Sequence, residues 1–373
     1  MKFKMKRSLI LLICIFLFTS CTVSPTPEQK LDHHLMKLTK DSNSPSLSVL
    51  IADHGKVVYK KSFGYANVEE KIPATPSTNY RLASVTKMFT AMCIILLKEQ
   101  GRLDYEAPVH TILKDFPEYG KDITVRHLLT HTSGLKDYYG EPTELIGGGF
   151  TETNQLTDHD VYEIVKRMDG TYFEPGKDFQ YSDTGYTVLG QVVEAISGTS
   201  LADFMTENIF KPLDMTQTVA YDPVHDPTIP NRALGAERRK GIYITHDQSY
   251  SSGVLGDGGV YSSLEDLYKW DQALDNGTLI SKEALNEAYH IPSHNFPSQS
   301  YTYRCGWFIF ESQNDIIEQS HNGATQGFST YYLKQPMLGK TLIVLSNKNL
   351  NDDAYELHTL VRSLYDFKPT SYI

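Results

Sequence analysis

Ser84-Val85-Thr86-Lys87 sets a serine and a lysine three residues apart, where polar sequence gives way to an apolar run. Three helical residues turn the chain roughly 300°, so the hydroxyl and the amine fall on nearly one face, one turn apart. A helix start also presents unpaired N–H groups, which favour negative charge. The chemistry this predicts is a nucleophile with its own base; the plainer alternative is an N-cap serine beside a solvated lysine. Ser133-Gly134-Leu135-Lys136 repeats the spacing, but Gly134 breaks any helix that would hold its lysine in place. Two further signals follow in order along the chain. Tyr181-Ser182-Asp183 stands directly before a helix near Thr184, and His321-Asn322-Gly323 ends a strand, with Ala324 next. Serine, lysine, tyrosine and histidine together supply a nucleophile, a base, a second proton shuttle and a polar group to steady a substrate.

The elements that must position these groups are legible. Met88 to Leu97 is apolar nearly all round, which describes an interior helix, and Gly101 supplies its stop. Leu47–Ile51 and Lys56–Phe63 are rich in β-formers, and Asp53-His54-Gly55 between them predicts a hairpin. The middle of the chain reads as mainly helical: Thr184–Ser197, Ser200–Phe210 with Ser200 and Asp203 as a capping box, and Leu264–Leu274 opened by Ser262 and Glu265. Strands return at 306–311, 316–320, 327–333 and 341–346, and a last helix covers about 353–365. Strands at both ends with helices between predict an α/β (α+β) fold. One antiparallel sheet is built from both termini, with a mostly helical subdomain over about 100–260.

Lys2, Lys4, Lys6 and Arg7 precede ten apolar residues, Leu9 to Phe18, which reads as an export leader too short to span a bilayer. Thr19-Ser20-Cys21 resembles a bacterial lipobox, although Phe18 stands where leucine is more usual. The expected division is a leader over 1–21, a tether and first helix over 22–40, and a single domain over 41–373. The expected location is the bacterial cell envelope, held through a lipidated Cys21; cleavage to a free secreted enzyme is the alternative. Losing residues 1–21 moves the formal charge from −10 to −14, which argues against nucleic acid as a partner. Beyond Cys21 only Cys93 and Cys305 remain, so no disulfide framework is expected. His127 and His131 have a spacing that can bind zinc on a helix, but no glutamate stands beside His127. His290 and His294 share the spacing and flank Pro292. Neither metal nor cofactor is expected.

Taken jointly, Ser84-x-x-Lys87, Tyr181-x-Asp183 and His321-x-Gly323 resemble the signature elements of the penicillin-recognising serine hydrolases. The branch is that of class C β-lactamases, D-alanyl-D-alanine carboxypeptidases and β-lactamase-like esterases. The likeness extends through Phe63-Gly64-Tyr65-Ala66-Asn67, Arg81-Leu82-Ala83, the stretch His127 to Leu135, and Gly256-Asp257-Gly258-Gly259. It implies that Ser84 is acylated, that Lys87 helps remove its proton and that Tyr181 relays that proton to the leaving group. It implies an oxyanion hole from the N–H groups of Ser84 and Ala324, beside Asn322 and Gly323. His321, where many members carry lysine, would orient a substrate carboxylate or support Tyr181. The implied substrates are D-amino acid peptides, β-lactams or esters. This chain departs from the pattern at Asp183, where the family has asparagine. An ionised aspartate only accepts hydrogen bonds, so Asp183 is expected to pair with Lys87 and to disfavour substrates with a carboxylate near the scissile bond.

Overall fold

The computed structural model describes residues 24–225, 228–293, 301–313 and 315–368. The leader, Cys21 and His294 lie outside them. Seven strands form the main sheet: β1 (Leu47–Asp53), β2 (Lys56–Phe63), β3 (Thr302–Arg304), β4 (Trp307–Ser312), β5 (Asp315–Thr325), β6 (Phe328–Gln335) and β7 (Lys340–Ser346). Their order is β3-β4-β5-β6-β7-β1-β2, antiparallel throughout. The two ends of the chain therefore meet at the β7–β1 pair, where Leu47 faces Ser346 and Asp53 faces Lys340. The β1–β2 turn has left-handed φ at His54 (48°) and Gly55 (70°), the geometry a two-residue hairpin needs.

Both faces of the sheet are covered, which is why β1 reads as an almost unbroken apolar run. Val49 and Ile51 join Leu31 and Leu35 of α1 (Pro27–Leu38) and Leu357 and Val361 of the last helix, Asp352–Leu364. Leu50 and Ala52 face the other way, into a core shared with α2 (Lys87–Glu99), α3 (Val125–Leu129), α4 (Asp158–Arg167), α5 (Asp183–Ser197), α6 (Leu264–Asn276) and α7 (Lys282–Tyr289). Every residue of α2 from Lys87 to Leu97 is buried. The segment 100–260 carries short helices joined by long loops. It also holds a small sheet pairing Ala236–Arg239 with Ile242–Thr245, and its Val219–Ala220 joins Val260–Ser262 and Tyr80–Arg81 in another.

Three expectations shift. Ser263, not Ser262, caps α6 by accepting from Asp266 N, because Ser262 is committed to a strand and its hydroxyl meets Thr218. The expected helix over 200–210 is α-helical only from Leu201 to Met205 and continues as a π-turn over Thr206–Phe210. The strand expected to stop at Ser320 runs on to Thr325 as β5, so His321-Asn322-Gly323-Ala324 lies within it. Its neighbour β4 pairs only as far as Ser320. Among the described residues, the end of β5 therefore has no strand on that side, and the turn holding Ser84 packs over its face at Gly323.

Candidate active site

Ser84 sits in a 3-10 turn, Ala83–Thr86, that leads straight into α2. The turn is pinned on several sides. Leu82 N donates to Val260 O at 2.8 Å, and Thr330 Oγ1 of β6 donates to Leu82 O at 2.7 Å. Ala83, directly before Ser84, has φ +50°, a region a residue with a Cβ enters only when its surroundings force it. Gly323 is one reason the turn can pack so closely: a Cβ there would lie 2.2 Å from Leu82 O and 2.4 Å from Thr330 Oγ1. The glycine of the His-x-Gly element thus lets β5 approach the backbone that leads into Ser84.

Lys87 is fully buried at the first turn of α2. Its Nζ donates to Ser84 Oγ at 3.2 Å, Asp183 Oδ1 at 2.5 Å and Asp257 O at 2.9 Å, and lies 5.0 Å from the centre of the Tyr181 ring. Burial pulls the amine toward neutrality, but Asp183, Tyr181 and Asp257 outweigh it and hold the pKa above that of an ordinary lysine. Burial is therefore not enough to leave Lys87 a free base at rest; the Asp183 carboxylate keeps it protonated. The expected pairing of Asp183 with Lys87 is present. Asp183 is the first residue of α5.

Two more carboxyls stand close by, and the sequence reading did not single either out as a functional group. Asp257 lies in a helical turn, Leu255–Gly258, and accepts from the Tyr138 hydroxyl at 2.8 Å. Burial and the charge of Asp183 push its carboxyl well above the usual range, toward the neutral form. Asp137 accepts from Asp183 N at 3.0 Å, and the same two causes raise it. The site thus pairs the Lys87 amine with Asp183 and sets beside them two acids whose carboxyls burial holds above the ordinary range.

The Tyr181 hydroxyl is buried and approaches Ser84 and Lys87 without a hydrogen bond of full geometry. Burial pushes this phenol up to about 12, opposed by the Lys87 charge, so it holds its proton at neutral pH. His321 differs from expectation. It is 1% exposed, and its nitrogens are taken by the Tyr303 hydroxyl at 2.9 Å and Asn322 O at 2.7 Å. Burial and the nearby Lys87 charge push it down to about 3. A neutral, enclosed imidazole cannot serve as the cation for a substrate carboxylate. Its link to Tyr181 is ring packing at 6.0 Å and a shared neighbour in Tyr303. Asn322 also leaves the group: strand alternation turns its side chain away from the face of His321 and Gly323, and it is exposed.

Ser84, Asp183, Asp257 and Ala324 line a cavity of about 40 Å³. Through Tyr139, Ser251, Ala324 and Thr325 it adjoins a cleft of about 760 Å³ that also holds His246, Tyr250 and Gln326. His127 and His131 do not act as a pair. His127 belongs to the cap of α3, where its Nδ1 accepts from Thr124 N at 3.1 Å. His131 packs on Tyr181 at 4.3 Å between ring centres.

The family described as Beta-lactamase matches residues 31–366. Penicillin-binding protein 4* of Bacillus subtilis (strain 168) is 36% identical over 326 residues, covering 83% of this chain and 69% of that protein. Protein flp of Staphylococcus aureus (strain NCTC 8325 / PS 47) is 27% identical, covering 86% of this chain and 62% of its own length. Among solved structures, the octameric penicillin-binding protein homologue from Pyrococcus abyssi superposes with a TM-score of 0.73 at 28% identity, covering 90% of this chain and 77% of that one.

Proposed function

The chain belongs to the Beta-lactamase family, and on that premise we propose that it hydrolyses an amide bond through a covalent acyl-enzyme on Ser84. The leading substrates are D-alanyl peptides or β-lactam-like amides. The observation that carries this reading is the position of Lys87 Nζ, which bridges Ser84 Oγ at 3.2 Å and Asp183 Oδ1 at 2.5 Å inside a buried site. At rest Lys87 is an ammonium, so the pair works as a unit. Loss of one Lys87 proton to solvent frees the lone pair, which accepts the Ser84 proton as Oγ attacks the carbonyl, and Asp183 holds the ammonium that forms. Tyr181, still a phenol, protonates the leaving group and recovers a proton from Lys87. Water reverses the sequence and releases the acid. The amides of Ser84 and Ala324 are the proposed oxyanion donors, each worth about 2.7–4 kcal/mol of barrier.

A second reading, a carboxylesterase with the same machinery, is favoured by Asp183. A carboxylate in place of the family's asparagine repels the acid group that penicillins and D-alanyl termini carry beside the scissile bond. Export as a lipoprotein through Cys21 is proposed from the leader sequence alone. The test is parallel turnover of a D-Ala-D-Ala peptide, nitrocefin and a p-nitrophenyl ester, with intact mass spectrometry of the mixtures. A transient adduct on Ser84 with product release is expected, and Ser84→Ala abolishes every activity. Turnover surviving in that variant, or a permanent adduct without release, refutes the reading.

A further inference from the structure

We infer that His131 is a positioning residue for Tyr181, holding the phenol at the Lys87 amine by bonding to the chain on both sides of it. Gln180, just before the tyrosine, donates its N–H to His131 O at 2.9 Å. Ser182, just after it, donates its N–H to His131 Nδ1 at 3.1 Å. The imidazole also packs on the Tyr181 ring at 4.3 Å, with the planes tilted by 41°. One residue therefore fixes the tyrosine before it, after it and along its ring.

The backbone of His131 has φ +56°, a conformation costly for a residue with a side chain. Here it lets the carbonyl and the ring bear on the same short loop. Because Nδ1 accepts from Ser182, the ring proton belongs on Nε2. Tyr303, at 4.1 Å, and Tyr186, at 5.1 Å, enclose the imidazole, which is fully buried. Burial and the Lys87 ammonium hold it well below an ordinary histidine, so no second positive charge enters the site. A protonated ring would donate from Nδ1 and release the Ser182 amide. The stretch from His127 to Leu135 thus gains a specific task at its centre.

The inference rests on Tyr181 as the proton donor to the leaving group, and the experiment separates the two. An ethyl ester and a p-nitrophenyl ester of one acyl group are compared, since only the first leaving group needs a proton. His131→Ala is expected to lower kcat on the ethyl ester about 10²-fold, with KM within about twofold, and to change the p-nitrophenyl rate far less. His131→Asn, which offers a carbonyl acceptor and tolerates left-handed backbone, recovers most of the loss. If His131→Ala does not fold, His131→Gln, whose acceptor lies one bond further out, takes its place as the variant that loses rate. Equal losses on both esters, no loss, or no rescue by asparagine in a folded protein overturns the inference. Unchanged rates in Tyr181→Phe would instead refute the role of the tyrosine itself.

Discussion

Asp183→Asn is the most informative single change. Asp183 Oδ1 and Ser84 Oγ stand 2.5 Å and 3.2 Å from Lys87 Nζ, so the carboxylate lies within about 6 Å of the attacking oxygen. A substrate carboxylate at a similar distance, at an effective dielectric of about 20, meets about 3 kcal/mol of repulsion. Lys87 offsets part of that, which leaves a penalty of roughly 10- to 100-fold in acylation rate. Asparagine removes the penalty and offers an amide donor in its place. It also removes the strongest upward pull on Lys87, so burial dominates and the amine falls toward neutrality. Stopped-flow acylation by nitrocefin should then rise by roughly 10- to 100-fold. The rising limb of the ester pH–rate profile should move to lower pH, because less base is needed to free the amine. Ester turnover continues, since a neutral Lys87 accepts the Ser84 proton directly. Unchanged nitrocefin acylation in a variant that keeps its ester activity would refute the electrostatic argument.

Gly323→Ala should drive β5 off the nucleophile's turn, because its Cβ has no room at Leu82 O. Overpacking of this kind costs about 1–3 kcal/mol, read as a lower urea midpoint, and ester turnover should fall far more than the midpoint does. Asp158 accepts from Leu255 N and Gly256 N at 2.8 Å each, bracing the turn that carries Asp257, and burial pushes it up to about 7. Its folded pKa lies above the unfolded value, so the native state binds the extra proton and stability falls as pH rises from about 4 to about 7. Asp158→Asn should flatten that part of the urea-stability profile, and an unchanged slope counts against the assignment. His321→Gln keeps a partner for Tyr303 and should leave ester kcat within about tenfold, whereas a histidine acting directly in proton transfer would cost 10²-fold or more.

The hairpin, the buried helix after Ser84 and the late strands are readable because each rests on local pattern: runs of β-formers, a glycine stop, a turn triplet. Ser84, Lys87, Tyr181 and Asp183 are brought together across about a hundred residues, and short motifs sufficed to find them. The states of those groups were not readable. Whether Lys87 is charged depends on Asp183, on Asp257 and on burial, which are sums over elements far apart in sequence. His321 is expected from its type to orient a substrate carboxylate or to support Tyr181, and enclosure by Tyr303 and β5, which makes it neutral, removes the first of these roles. Asn322 was misassigned because β5 continues through it, and strand alternation then decides which neighbours face the nucleophile. Asp137 and His131 carry no spacing signal that marks their contacts with the Tyr181 loop, and only tertiary packing reveals them.

The β7–β1 seam has a bearing on biogenesis. Strands so far apart in sequence can zip only after the chain between them has been made, so the fold is rich in non-local pairing. The backbone wall against Ser84 is made by β5, which arrives in the same late portion. A nascent or truncated product lacking that portion would carry the serine and the lysine but no wall to hold them. Such a product would hold Ser84 and Lys87 without the close contact at Leu82 that Gly323 permits.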